Sequence, residues 1–187
     1  MRYRLKIHPD SCCDPAVHVE ACFARTSSDL LLRFELKGIG KLLIPSAVSS
    51  ARAEELWRHT CLEAFLCPSA GGDGYYELNL SPSTQWAAYC FAGYRTGMQR
   101  LECAEPRVEV VRRENTLELT ARISLQCFED LTKSAAWRIG LSAVIEETSG
   151  RLSYWALNHP PGRPDFHHRD GFALELSGKL DDEAVKL

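Results

Sequence analysis

No apolar run in the chain approaches the ~18 residues of a membrane span, so no membrane partner is expected. The opening Met1-Arg2-Tyr3-Arg4-Leu5-Lys6 carries charge with no apolar stretch behind it. No secretory leader is read there, and a reducing, cytoplasmic setting is expected. An excess of one sign of charge is also missing. Twenty-two Lys+Arg stand against 25 Asp+Glu, a formal net charge of -3. Without a basic excess, nucleic-acid backbone is not an expected partner. There is no Cys-x-x-Cys, which removes the usual knuckle spacing of a structural zinc site. There is also no His-x-His or His-x-x-x-His, the spacings that put two imidazoles on one side of a strand or helix. Only two methionines occur, Met1 and Met98.

Eight cysteines are present: Cys12, Cys13, Cys22, Cys61, Cys67, Cys90, Cys103 and Cys127. In a reducing compartment these are thiols, and those inside apolar patterns, such as Cys61 and Cys90, read as small buried hydrophobes. The adjacent Cys12-Cys13, with polar flanks, is the candidate reactive pair. Hydrophobic residues make up 45% of the 187 and charged residues 25%, which suffices for one domain with a real core. No repeat, linker or low-complexity block divides the chain, so residues 1–187 are read as a single domain.

The apolar periodicity is that of strands almost throughout. Residues 21–25 and 30–36 flank the turn Thr26-Ser27-Ser28-Asp29. Residues 60–66 are apolar on both parities except at Glu63, the pattern of a central strand covered on both faces. Residues 75–80 and 86–91 are joined by Ser81-Pro82-Ser83-Thr84-Gln85. Two further hairpins turn at Arg113-Glu114-Asn115 and Thr148-Ser149-Gly150, and a strand over 172–176 closes the domain. Residues 47–58 are expected to hold one or two helical turns capped by Ser49 or Ser50. Residues 126–134 form a short helical connection, and 181–187 a frayed tail. About ten strands with little helix make an all-β antiparallel β-sandwich or jelly roll.

Polar residues on strands that should be buried mark a candidate site. If 68–74 closes a hairpin symmetrically, Glu63 lies opposite Asn79 and Phe65 opposite Glu77. If Ser83-Thr84 centres the next turn, Glu77 faces Tyr89 and Asn79 faces Ala87. Side chains two apart share a face, so Glu63, Glu77, Asn79, Ser81 and Tyr89 gather on one face of three strands, among Cys61, Phe65 and Phe91. Carboxylates there cost several kcal/mol unless they are paired, hydrogen-bonded or used. Two readings compete: a self-satisfied polar network, or a cup that hydrogen-bonds a small polar ligand. Trp57 and Trp86, at strand entries beside polar loops, are the candidate ring platforms. Trp137 and Trp155 fall in strand alternation and belong to the core. His59, His159 and the pair His167-His168 lie in loops. A metal site would need three loops to converge, and anchoring of loops through hydrogen bonds is the simpler use.

The strings Leu56-Trp57-Arg58-His59-Thr60-Cys61-Leu62-Glu63-Ala64-Phe65-Leu66, Tyr75-Tyr76-Glu77-Leu78-Asn79-Leu80-Ser81-Pro82-Ser83 and Trp86-Ala87-Ala88-Tyr89 resemble the bacterial DOMON-like proteins. These in turn resemble family 9 carbohydrate-binding modules. The closing Trp155-Ala156-Leu157-Asn158-His159-Pro160-Pro161 and Pro164-Asp165-Phe166-His167-His168 are similar to the same group. The resemblance runs over residues 30–176 and implies an antiparallel sandwich that binds sugars or, in some members, haem. Haem members of this type use a Met and a His. Here Met98 with one histidine is the sole such pair, and it lies in a polar loop, so no cofactor is expected.

The expected function is non-catalytic binding of a small polar ligand, a saccharide by resemblance. Glu63, Glu77 and Asn79 would hydrogen-bond it, Trp57, Trp86 and Tyr89 would act as platforms, and His59 and His167 would shape the rim. The alternatives are a metal- or carboxylate-assisted hydrolase near His59, His159 and His167, and an interaction module docking through a strand edge.

Overall fold

The computed structural model describes residues 1–69, 72–134 and 136–177. The expected tail over 181–187 lies outside them. Thirteen strands and one short helix are found: β1 (Tyr3–Arg4), β2 (Lys6–Ile7), β3 (His18–Arg25), β4 (Asp29–Lys37), β5 (Cys61–Pro68), β6 (Tyr75–Leu80), β7 (Trp86–Phe91), β8 (Gln99–Arg100), β9 (Arg107–Arg112), β10 (Thr116–Ser124), α1 (Glu129–Lys133), β11 (Ala136–Glu146), β12 (Leu152–Ala156) and β13 (Leu174–Ser177). The extra strands over the expected ten are the two-residue pieces β1, β2 and β8, too short to show a period.

The strands make two antiparallel sheets. One has the order β1-β3-β4-β10-β9, and the other the order β2-β12-β11-β5-β6-β7-β8 with β13 also on β11. In the first sheet β4 alternates strictly: Leu30, Leu32, Phe34 and Leu36 are buried while Leu31, Arg33 and Glu35 face outward. Period-two alternation puts one face on the core and leaves the other wet. Leu62, Ala64, Leu66, Leu78, Leu80, Ile139, Leu141 and Ala143 of the second sheet meet that face to form the main core. Trp137 and Trp155 belong to it, as their alternation requires.

The second sheet is buried on both sides. Every described residue from Cys61 to Cys67 is buried, and so is every residue of β6. Its outer face carries a separate apolar cluster of Phe65, Cys67, Tyr75, Ala87, Tyr89, Phe91 and Phe172. The long loop over 158–173 covers part of this face. Phe172 stacks on Phe65 with ring centroids 6.0 Å apart. Gly140 on β11 lets the loop lie flat: a Cβ there would meet the Gly171 carbonyl oxygen at 2.9 Å.

Residues 47–58 differ from the expected helical turns. Only Leu56–Arg58 makes a single 3-10 turn, and Ser49 and Ser50 cap nothing. Ala51 and Ala53 instead exchange backbone hydrogen bonds with Trp86. Pairing with a strand outcompetes the modest helix preference of alanine. The thiols differ as well. All eight cysteines are free, with Cys12 exposed and Cys13 half-buried. Burial pushes the Cys13 thiol up. The thiol held down, to about 7, is Cys103, through a hydrogen bond from Cys127 and the charge and N–H of Arg52.

Candidate functional site

The strand pairing is the one the sequence indicates. Glu63 pairs with Asn79 and Phe65 with Glu77 across β5 and β6. Glu77 pairs with Tyr89 and Asn79 with Ala87 across β6 and β7. All of these side chains share the outer face of the second sheet. Where the loop leaves that face uncovered lies a cavity of about 630 Å³, lined by Glu63, Glu77, Tyr89, Phe91, Val144 and Tyr154 from the strands. Its walls are Glu54, Glu55 and Trp57 on one side and Arg95, Met98, Pro164, Phe166 and His167 on the other.

The floor is acidic. Glu63 is 3% exposed and Glu77 6%. Diagonal neighbours on adjacent antiparallel strands lie ~7–8 Å apart, close enough for their charges to interact. Asn79, behind the floor, donates from Nδ2 to Glu77 Oε1 at 2.7 Å. The Ser142 hydroxyl, buried opposite Glu63 on β11, is the group that holds its proton affinity down, though it forms no hydrogen bond of regular geometry. Burial, with the Glu77 charge second, pushes the Glu63 carboxyl well above the usual carboxylate range. Glu77 is also raised by burial, against the Asn79 hydrogen bond and the charge of Arg95. Glu63 is therefore the group that keeps its proton more firmly.

The walls are held in place by their own pairs. Tyr89 donates from its hydroxyl to Glu54 Oε2 at 2.7 Å, and Arg100 Nε reaches Glu54 Oε1 at 2.9 Å. Arg95 Nη2 donates to Asp165 Oδ1 at 2.8 Å, and the His167 backbone N–H donates to the same oxygen at 3.1 Å. Asp165 thereby fastens the Tyr94–Gly97 turn to the long loop. Tyr75 OH lies 2.8 Å from His167 Nδ1, and burial lowers the imidazole to about 4, so the ring is neutral. Among the described residues, two of the three non-glycine positions with left-handed backbone, Glu55 (φ 56°) and Arg95 (φ 52°), line the cavity. Such strain persists where surroundings enforce it and gathers at ligand clamps.

Five of the residues expected at the site line this cavity: Trp57, Glu63, Glu77, Tyr89 and His167. Three do not. Asn79 is 1% exposed and acts through Glu77. Trp86 lies on the opposite face, 5% exposed in the main core, with Arg52 over its ring at 4.4 Å. Its strand parity explains this: Trp86 pairs with Leu80, an inner-face residue, and stands an odd number of positions from Tyr89. His59 is at the surface, its Nδ1 2.7 Å from Glu146 Oε2. His159 bonds the Lys6 carbonyl at 2.8 Å. The loop histidines thus do not converge, and among the described residues no group of three or more His, Cys, Asp or Glu is arranged to hold a metal ion. Arg95, Met98, Tyr154 and Phe166 were not legible as site residues. Tyr154 had a signal, since it must point away from the core if Trp155 points into it.

Met98 and His167 do share the cavity, but the donors there do not suit a haem. Met98 is 59% exposed at the mouth. The floor under a macrocycle would be two carboxyls. The one lining base available for propionates, Arg95, is already paired with Asp165.

No protein-family model matches the sequence, and no curated protein matches it significantly. Solved structures do match. The chain is similar to a candidate carbohydrate-binding protein of Bacteroides uniformis, with a TM-score of 0.66 at 15% identity over 95% of this chain and 85% of that one. It is also similar to a family 9 carbohydrate-binding module of Caldicellulosiruptor kristjanssonii in complex with glucose, with a TM-score of 0.55 at 11% identity over 98% and 88% of the two chains. The complex of a family 9 module from that organism with cellotriose matches at 12% identity and the same TM-score, over 98% and 87%. The fold is that of family 9 carbohydrate-binding modules.

Proposed function

We propose that the protein binds a small saccharide without transforming it, in the cavity floored by Glu63 and Glu77. One observation carries the reading. Glu63 is buried on a strand with only the Ser142 hydroxyl beside its carboxyl, and it lines an open cup rather than a packed interior. A buried carboxyl left unsatisfied is destabilising, and a ligand hydroxyl supplies the missing bond. Trp57, 49% exposed at the mouth, offers a ring to the apolar face of a sugar. The family 9 modules solved with glucose and cellotriose support the ligand class. No cofactor takes part, and the eight free thiols suit a reducing, cytoplasmic compartment. The Glu63 strand, the Tyr75-Tyr76-Glu77 strand and the Ser81-Pro82-Ser83 turn support kinship with the bacterial DOMON-like proteins.

Titration with mono- and disaccharides, followed by Trp57 fluorescence and calorimetry, tests this. Binding should weaken about tenfold or more in Glu77→Gln, the effect of losing a hydrogen bond to a charged group, with unfolding midpoint retained. Absence of binding by every sugar tried would overturn it. A second reading, a carboxylate-assisted hydrolase, is favoured by the unequal proton affinities of the two floor carboxyls, the arrangement of an acid beside a base. Release of nitrophenol from aryl glycosides, lost in both Glu63→Gln and Glu77→Gln, would select it over simple binding.

A further inference from the structure

Charge on the cavity walls is already balanced, and charge on its floor is not. Glu54 is met by Arg100 and the Tyr89 hydroxyl, Glu55 by Arg58, and Arg95 by Asp165. His167 is neutral. That accounts for the charged and titratable groups facing the floor from the 54–57 segment, β7, the Tyr94–Gly97 turn and the long loop. From β12 comes Tyr154, and from β11 only the neutral Ser142 and Val144. What remains is Glu63 and Glu77, two acids side by side with no cation within ion-pair distance among the described residues. The rings of Trp57, Tyr89, Tyr154, Phe91 and Phe166 line the same cavity. A hydroxyl would satisfy one carboxyl but supply no charge that lets both ionise. A positive charge would offset both carboxylates, and aromatic rings attract cations in a desolvated cup.

Resting on the saccharide reading, we infer that the ligand carries a protonated amine seated over Glu63 and Glu77, which makes an amino sugar the preferred class. The ammonium donates hydrogen bonds to the Glu63 carboxylate and to Glu77. Glu63 gives up its proton to solvent as the cation enters. Binding is therefore linked to proton release, a signature that neutral sugars lack.

Glucosamine, glucose, N-acetylglucosamine and cyclohexylamine are titrated by calorimetry near pH 6, in two buffers of different ionisation enthalpy. The expected result is glucosamine tighter than glucose and N-acetylglucosamine by about tenfold, the scale of one charge-assisted contact. Up to one proton should be released. In Glu63→Gln the ratio of glucosamine to glucose affinity, read within that variant, should fall to about one and the proton release should vanish, because the amide can neither ionise nor take a charge-assisted bond. The ratio in the unaltered protein tests the inference even if that variant folds poorly. Equal affinity for glucose and glucosamine overturns the amine while leaving the sugar reading standing. Cyclohexylamine binding as tightly as glucosamine, with glucose silent, keeps the amine and removes the sugar. Silence of all four removes both.

Discussion

Each sheet presents glutamates on its outer face, and the two faces treat them oppositely. On the first sheet Glu20, Glu35 and Glu118 stand in one row across β3, β4 and β10. Three like charges in a row repel, yet cations are threaded among them. Arg2 reaches Glu35 at 2.8 Å, Lys37 reaches Glu20 at 3.3 Å, and Arg33 pairs with Glu118. Water screens the rest. On the second sheet Glu63 and Glu77 are diagonal neighbours, but a loop and an aromatic cluster shut out most of the water, and no cation among the described residues reaches them at ion-pair distance. The first arrangement is a solvated surface complete in itself. The second lacks that internal balance, and the proposed binding site rests on that difference.

The sharpest break between the two faces comes from removing an aromatic ring. Phe65, 1% exposed, touches Phe172, Phe166, Tyr75 and His167 on the outer face of the second sheet. Phe65→Ala should destabilise by about 3–5 kcal/mol, as for a core phenylalanine. Leu31→Ala, on the outer face of the first sheet, should cost about 1 kcal/mol or less. Chemical unfolding measures both. Similar small values would mean that the cup has no rigid floor behind it.

The next effect has the opposite sign. Glu63→Leu should stabilise the unliganded protein by roughly 1–4 kcal/mol at pH 7, because it removes an unpaired buried acid. The pH dependence follows from the raised proton affinity of Glu63. Between the unfolded carboxylate value and the higher folded one, the native state binds more protons than the unfolded chain. Stability from this group is therefore full below the ordinary carboxylate range and is lost as pH rises through the folded value. The gap between Glu63→Leu and the unaltered protein should widen from about pH 5 to pH 8 in thermal melts. A constant gap would mean that Glu63 is ionised and satisfied at all these values.

The three-strand pairing was legible because polar residues interrupt strands that are otherwise apolar on both parities. Glu63 and Glu77 would have no reason to sit there if the sheet were merely core. Tyr89 followed from the same parity. The same rule would have placed Trp86 inside, since a residue three positions from Tyr89 on one strand takes the other face. Reading it as a platform gave weight to the polar loop beside it over the alternation within the strand. Arg95, Met98 and Phe166 were beyond reach for another reason. They sit on loops whose course is set by contacts such as Asp165 with Arg95, and no period runs through them. The 47–58 segment shows the limit of local preference, because its backbone at Ala51 and Ala53 pairs with Trp86 in place of a helix.

The smallest effect tests whether the first sheet's row is complete without a ligand. Glu35 is the middle acid of the row, held by Arg2 at 2.8 Å and Lys37 at 3.7 Å. Exposed pairs contribute about 0.2–1 kcal/mol, and losing Glu35 also relieves repulsion on Glu20 and Glu118. Glu35→Ala should thus change stability by under about 1 kcal/mol, and by less still in 0.5 M salt, where screening shortens to a few ångströms. A loss of several kcal/mol in unfolding experiments would mean that this row is a desolvated network like the floor of the cup. The contrast would then rest on the missing cation alone and not on solvent access.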